Sequence, residues 1–395
     1  MKWNDRHTLC ASYLGYITQA IINNLPPLLF LTFQRTLGIS LERISLLITI
    51  NFSIQIAVDF LAARYVDRLG YRPCIVAAHV FSTLGLLGLG TLPLLLPSAY
   101  AGILIAMALN AIGGGLIEVL ISPIVESLPG DEKASAMSLL HSFYCWGHVG
   151  VVLLSTLYFA TAGMQAWRFL PMLWALLPLI NAFFFQKVPI YTPVSQQESV
   201  PVRRLLGSRV FWLLFVLMVC SGASEQGMSQ WSSYFAESGL GVSKAMGDLL
   251  GPCAFAAMMG LTRLVYGMYG AKIHLHGALY ASAGLCVVSY LLSVFAPWPV
   301  LSLAGCALCG LSVGLMWPGT FSTAAQAYPQ GGTAMFALLA LAGDLGCAGG
   351  PTLVGFVSGA AGGALKSGLL WAIVFPMGLI VALSLLHAAR RGEKG

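Results

Sequence analysis

Three acids stand where a water-soluble fold would not put them. Glu118, Glu225 and Asp344 each lie deep inside a long apolar run, in a chain of which only 9% is charged. A carboxylate near the middle of a membrane-crossing helix costs ~2.5–3.5 kcal/mol on insertion scales, and such groups normally face a polar interior. Burial disfavours the ionised carboxyl and a nearby cation favours it, so a group of this kind can load and release a proton as its surroundings alternate. Ser122 and Glu126 follow Glu118 at i+4 and i+8, on one helical face. Proton coupling or solute binding is the chemistry expected of Glu118, with Glu225 and Asp344 contributing from the second half. The plainer alternative is a fixed hydrogen bond between helices.

Groups suited to holding a solute accompany these acids. Gln226, Gln230 and Trp231 follow Glu225, and Asn23 and Asn24 occupy the matching helix of the first half. His141, Tyr144 and Trp146 enrich the fifth segment, and Trp317 lies in the tenth. Amides bond hydroxyls and indoles offer flat apolar faces, the usual ingredients of a small-molecule site. Trp231 also reads as an interfacial anchor, being close to a segment end. His141 and His148 read either as buried hydrogen-bonded rings or as relay partners for Asp344. The nine cysteines are scattered through apolar runs; Cys306 and Cys309 have CxxC spacing without a second pair, so no metal site is expected. The chain lacks a Walker lysine loop, HExxH and GxSxG, which argues against an enzyme and leaves the proton gradient, with no cofactor, as the energy source.

The elements that must position these residues follow from composition. With 58% hydrophobic residues and net charge +6, the chain cannot clothe a water-exposed surface, for which about 25% charged residues is usual. Apolar runs at 8–33, 41–64, 74–95, 99–127, 134–161, 166–187, 209–236, 243–268, 273–295, 299–328, 332–361 and 367–389 each reach the ~20 residues that a crossing requires. The expected fold is an all-α integral membrane protein of twelve transmembrane helices in two six-helix, pseudo-symmetric bundles: residues 1–187, a cytoplasmic linker 188–208, and 209–395. All of the 20 basic residues except Arg35, Arg43, Arg168, Lys244 and Lys366 fall on one side of this arrangement, which the positive-inside rule makes cytoplasmic, with both termini. That bias accounts for the net charge without a nucleic-acid partner. The polar start, Met1 to Thr8, shows no recognisable cleavage site. A monomer in the cell (inner or plasma) membrane, with lipid and a small solute as partners, is the expectation.

The halves repeat. Leu37-Gly-Ile-Ser40 recurs as Leu240-Gly-Val-Ser243, and Gly114, Ser122 and Pro129 recur 200 positions later as Gly314, Ser322 and Pro329. Duplicated units suit alternating-access transporters. In the loop after the second segment, Asp67, Arg68, Gly70 and Arg72 resemble the signature of the major facilitator superfamily, with a degenerate repeat from Arg263 to Lys272. The resemblance implies a cytoplasmic gate built on Asp67, Arg68, Gly70, Arg72 and Arg263.

Within that superfamily the chain looks most like the fucose permease type of proton symporter. The likeness is carried by Gly113, Gly114, Gly115 and Glu118, by Glu225 to Trp231, and by Gly314 to Pro318. It implies proton-coupled symport of a sugar or similar small polar solute. The family's helix-one acid has no match, since Leu25, Pro26 and Pro27 follow Asn23 and Asn24. The alternative is proton-driven efflux of amphipathic compounds; exporters resemble one another in a Gly-Pro motif on helix five, and Cys145 to Gly150 contains no proline.

Overall fold

The computed structural model describes residues 3–129, 133–191, 202–269, 272–328 and 332–392. Two compact units result, Met1–Ser195 and Gln196–Gly395. The first holds α1 (Asp5–Leu37), α2 (Leu41–Leu69), α3 (Tyr71–Leu95), α4 (Ala99–Glu126), α5 (Lys133–Ala162) and α6 (Phe169–Trp174 continuing as Leu176–Lys187). The second holds α7 (Arg209–Ser229, then a short turn and a π-helical stretch Phe235–Gly239), α8 (Lys244–Asp248, a π turn Leu249–Cys253, then Ala254–Tyr269), α9 (Leu275–Phe295), α10 (Pro299–Ala327), α11 (Gly332–Ala360) and α12 (Leu365–Ala372 continuing as Val374–Gly392). A short helix, Val202–Leu206, precedes α7.

Among the described residues, 11 helices are long and apolar enough to cross a membrane. The long helix outside that set is α1, whose 33 residues exceed a crossing but include Thr18, Gln19, Asn23 and Asn24 in its interior. Its polarity has a physical reason, because Thr18, Gln19 and Asn24 are buried within the first unit. Polar side chains are withdrawn from the outer surface and large apolar ones stand on it: His79, Asn110, His148 and Asn181 are buried, while Phe60, Leu95, Phe295 and Trp371 are more than half exposed. Only a hydrocarbon surround makes that distribution favourable.

The sequence repeat is a structural repeat. In the first unit α3 packs on α4 and α6, α1 on α4, α5 and α6, and α2 on α4; the second unit pairs α9 with α10 and α12, α7 with α10, α11 and α12, and α8 with α10. The recurring Leu-Gly-x-Ser turns have the same cause. Gly38 (φ 65°) and Gly241 (φ 68°) end their helices in the left-handed region that a side chain disfavours. Ser40 and Ser243 then cap α2 and α8 by accepting from the N–H groups of Arg43 and Met246.

Buried polar side chains staple helices within each unit. Asn181 of α6 donates through Nδ2 to Ala11 O of α1 (3.0 Å) and to His79 Nε2 of α3 (2.8 Å). Because a carbonyl can only accept, the amide orientation is determined; His79 Nε2 must then accept, and Nδ1–H donates to Ile75 O (2.8 Å). The core of this unit gathers Ile75, Ile117, Ile121, Leu140 and Phe185 around that staple. Beyond α6, Thr8 donates to Pro189 O (2.7 Å) and Tyr191 to Asp5 Oδ1 (3.0 Å). The carboxylate acceptor raises the Tyr191 pKa above its ordinary value.

Candidate functional site

In the first unit the polar side chains converge on Gly114 of α4. Gln19 of α1 donates through Nε2 to Glu118 Oε2 (3.2 Å), and Gln55 of α2 donates through Nε2 to Asn23 Oδ1 (3.2 Å). A Cβ placed on Gly114 would lie 3.1 Å from Gln19 Oε1 and 3.6 Å from Gln55 Nε2, so glycine here leaves room for two amides from two other helices. Gln19 and Gln55 are buried, and Glu118 is half-buried. Among the described residues, Gln19 Oε1 is a buried acceptor without a hydrogen-bond partner. An acceptor left so in a polar cluster invites an O–H group, since an unmet buried acceptor costs ~1–3 kcal/mol.

One turn towards the end of α4, Tyr16 and Ser122 share a hydrogen bond (3.0 Å). Asn24 Nδ2 donates to Ala20 O (2.9 Å) and, at 3.4 Å, to Tyr144 OH of α5. Pro26 and Pro27 lie inside α1. Proline has no N–H, so the carbonyls of Ile22 and Asn23 lose their usual i+4 donors beside these amides. The structure thus brings together Glu118, Asn23, Asn24 and Tyr144 from the expected set. Trp146 stands 49% exposed on α5 and His148 is buried. The His141 and Asp67 side chains lie outside the described residues.

The second unit holds a different arrangement. Glu225 Oε2 lies 3.3 Å from Arg263 Nη2 of α8, and Gln226 Nε2 donates to Glu225 Oε1 (3.3 Å). Gln230 Nε2 donates to Gln226 Oε1 (3.0 Å). Arg263 therefore reaches a helix-interior acid rather than serving only the loop gate to which its position in the degenerate signature assigned it; a long flexible stem can carry a guanidinium well away from its own Cα. Trp231 is fully buried and donates through Nε1 to Pro351 O of α11 (2.9 Å), so its ring packs a helix seam. Trp317 of α10 is half-buried and lies against Gly343 of α11, next to the buried Asp344.

At the signature loop, Gly70 has φ 91°, which explains the glycine between α2 and α3. Arg68 is exposed. Arg72 donates to Phe185 O (2.8 Å), Gln186 O (2.9 Å) and Val188 O (2.8 Å), closing the carbonyl end of α6. A guanidinium there meets orphan carbonyls and the negative end of the helix dipole together.

Sequence reasoning passed over Gln19, Gln55 and Tyr16. The cost argument that singled out Glu118 applies to them, because an amide in a spanning helix is also expensive to leave unmet. It also passed over a cluster at the α7–α8 turn, where Lys244 lies 2.9 Å from the fully buried Asp248 and 3.2 Å from Glu237, and Ser233 donates to Asp248 (2.5 Å). Both flanking helices have π-helical turns there.

Comparison with known proteins places this architecture. No curated protein matches the chain by sequence. Among solved structures, the E. coli fucose:proton symporter FucP is 17% identical and superposes with a TM-score of 0.65 over 96% of this chain and 98% of its own. A bacterial homologue of the human lysosomal transporter Spinster, inward-facing and occupied, is 15% identical with a TM-score of 0.72 over 97% and 96%. At such identities the likeness is one of fold. The sequence profile of the Major Facilitator Superfamily matches residues 10–351, which spans most of both units. The chain therefore belongs to the major facilitator superfamily of membrane transporters.

Proposed function

We propose that the protein is a proton-coupled symporter, importing a sugar or a similar small hydroxyl-bearing solute across the cell membrane by alternating access, with both termini cytoplasmic. The observation that carries this reading is the cluster over Gly114. Glu118 is held by an amide and by no cation among the described residues, next to the unmet acceptor Gln19 Oε1. An amide can donate to the carboxylate form, and its oxygen can accept from a protonated carboxyl or from a solute hydroxyl. The same few groups then serve both protonation states. Asp344, buried in α11, is the candidate for proton chemistry in the second unit.

The fold likeness to a fucose:proton symporter supports this reading. The test is uptake into proteoliposomes under an imposed pH gradient, with fucose and related sugars as probes. Accumulation is expected to need the inward proton gradient, to collapse with protonophore, and to vanish in Glu118→Gln while downhill exchange persists. Uphill accumulation by Glu118→Gln would remove Glu118 from the coupling. Solute extrusion driven by the same gradient would instead favour the efflux reading.

A further inference from the structure

Arg263 and Glu225 form a contact with unusual features for a purely structural ion pair. A guanidinium and a carboxylate removed from water need a close, forked geometry, with N···O about 2.7–2.9 Å, to offset their lost hydration. Here the approach of Nη2 to Oε2 is 3.3 Å, and the two side chains keep 21% and 9% of their surface open. The other oxygen of Glu225 accepts from Gln226, which accepts from Gln230. Arg263 and Gln226 both donate to this one carboxylate, and Gln230 donates to Gln226 behind it. The place that Glu225 occupies is a seat for an anion, with a guanidinium on one oxygen and an amide N–H on the other.

We propose that Arg263 recognises a carboxylate on the transported solute, and that the Glu225 carboxylate fills the seat as an internal substitute when no solute is bound. This rests on the transport reading and narrows its solute to a small hydroxylated monocarboxylate such as a sugar acid. A carboxylate matches the group already seated there in shape and charge. A phosphate would bring close to two negative charges where a carboxylate brings one, setting about three against one guanidinium once Glu225 is displaced. The amides of Gln226 and Gln230, one helical turn apart, suit the hydroxyls next to such a carboxylate.

The test compares glucuronate with glucose, matched in ring and hydroxyls, by titration calorimetry on the purified full chain. Wild type is expected to bind glucuronate about tenfold or more tighter than glucose, the range of one charge-assisted hydrogen bond. Arg263→Gln should erase that preference, and Glu225→Gln should strengthen it, because the internal competitor is gone. A merely structural pair would instead make the two variants lose binding alike. Should Arg263→Gln fail to fold, Arg263→Lys keeps the charge without the fork and should retain only part of the preference. The proposal is overturned if wild type shows no preference for glucuronate, or if the preference survives Arg263→Gln or falls in Glu225→Gln. Gradient-driven glucose uptake that needs Glu118, without any acid preference, would overturn this inference and leave the transport reading standing. An Arg263-dependent acid preference without gradient-driven uptake would do the reverse.

Discussion

Replacing Gly346 by alanine tests how closely α7 and α11 must approach to hold Glu225 and Asp344 in place. A Cβ on Gly346 would lie 2.8 Å from Ala223 N and closer still to Val219 O, both backbone atoms of α7. On the next turn of the seam, a Cβ on Gly350 would lie 2.8 Å from Ala223 Cα. Backbone cannot swing aside as a side chain can, so the two helices must separate along a seam that small residues at i and i+4 created. Overpacking of this kind costs about 1–3 kcal/mol. For a unit of this size that corresponds to a fall in Tm of about 2–12 °C. Gly349 supplies the control on the same helix, since a Cβ there meets nothing within 4 Å. Gly349→Ala should leave Tm unchanged or raise it slightly, because alanine is the better helix former by about 1 kcal/mol. Thermal unfolding in detergent, followed by a thiol-reactive dye that reports exposure of the buried cysteines above the constant signal of the exposed Cys10, measures both variants. Equal Tm values for Gly346→Ala and Gly349→Ala would refute the argument from close approach.

Two further outcomes follow from the first unit. Gly114→Ala places a methyl group 3.1 Å from Gln19 Oε1, a flexible partner that can shift, so Tm should move by less than about 1 kcal/mol equivalent while solute uptake falls tenfold or more; uptake at the wild-type rate would show that the space over Gly114 is not part of the site. Arg72→Gln removes three carbonyl contacts at the end of α6, two of them partly shielded, and should lower stability by about 1–3 kcal/mol, with Arg72→Lys recovering part of it. Unchanged melting with altered transport would instead assign Arg72 to gating alone.

Much of the architecture was legible before any coordinates. Exclusion of charge from long apolar runs identifies a lipid-facing fold, and the duplicated Leu-Gly-x-Ser turns mark two like units because each glycine must adopt the same left-handed conformation. Gly70 was legible only through its place in the signature, and its φ of 91° supplies the physical reason. The first helix shows where composition alone reaches its limit: α1 falls outside the apolar spans because its amides are spent inside the bundle. Hydropathy averages over all faces of a helix and cannot tell an inward amide from an outward one.

The sequence by itself determined the membrane class, the duplicated organisation and the acids worth attention, because these depend on which residue types a bilayer tolerates and on local backbone preference. Only the tertiary structure decided which partner each acid has. Glu118 meets Gln19 from a helix 99 positions away in the chain, and Glu225 meets Arg263 from one 38 positions away. Trp231, readable from sequence as an anchor or a solute face, has an N–H partner that no spacing revealed, Pro351 O 120 positions away. Such pairings arise when helices dock. Spacing along one helix determines which face a residue shares, but says nothing of what the neighbouring helix presents to that face.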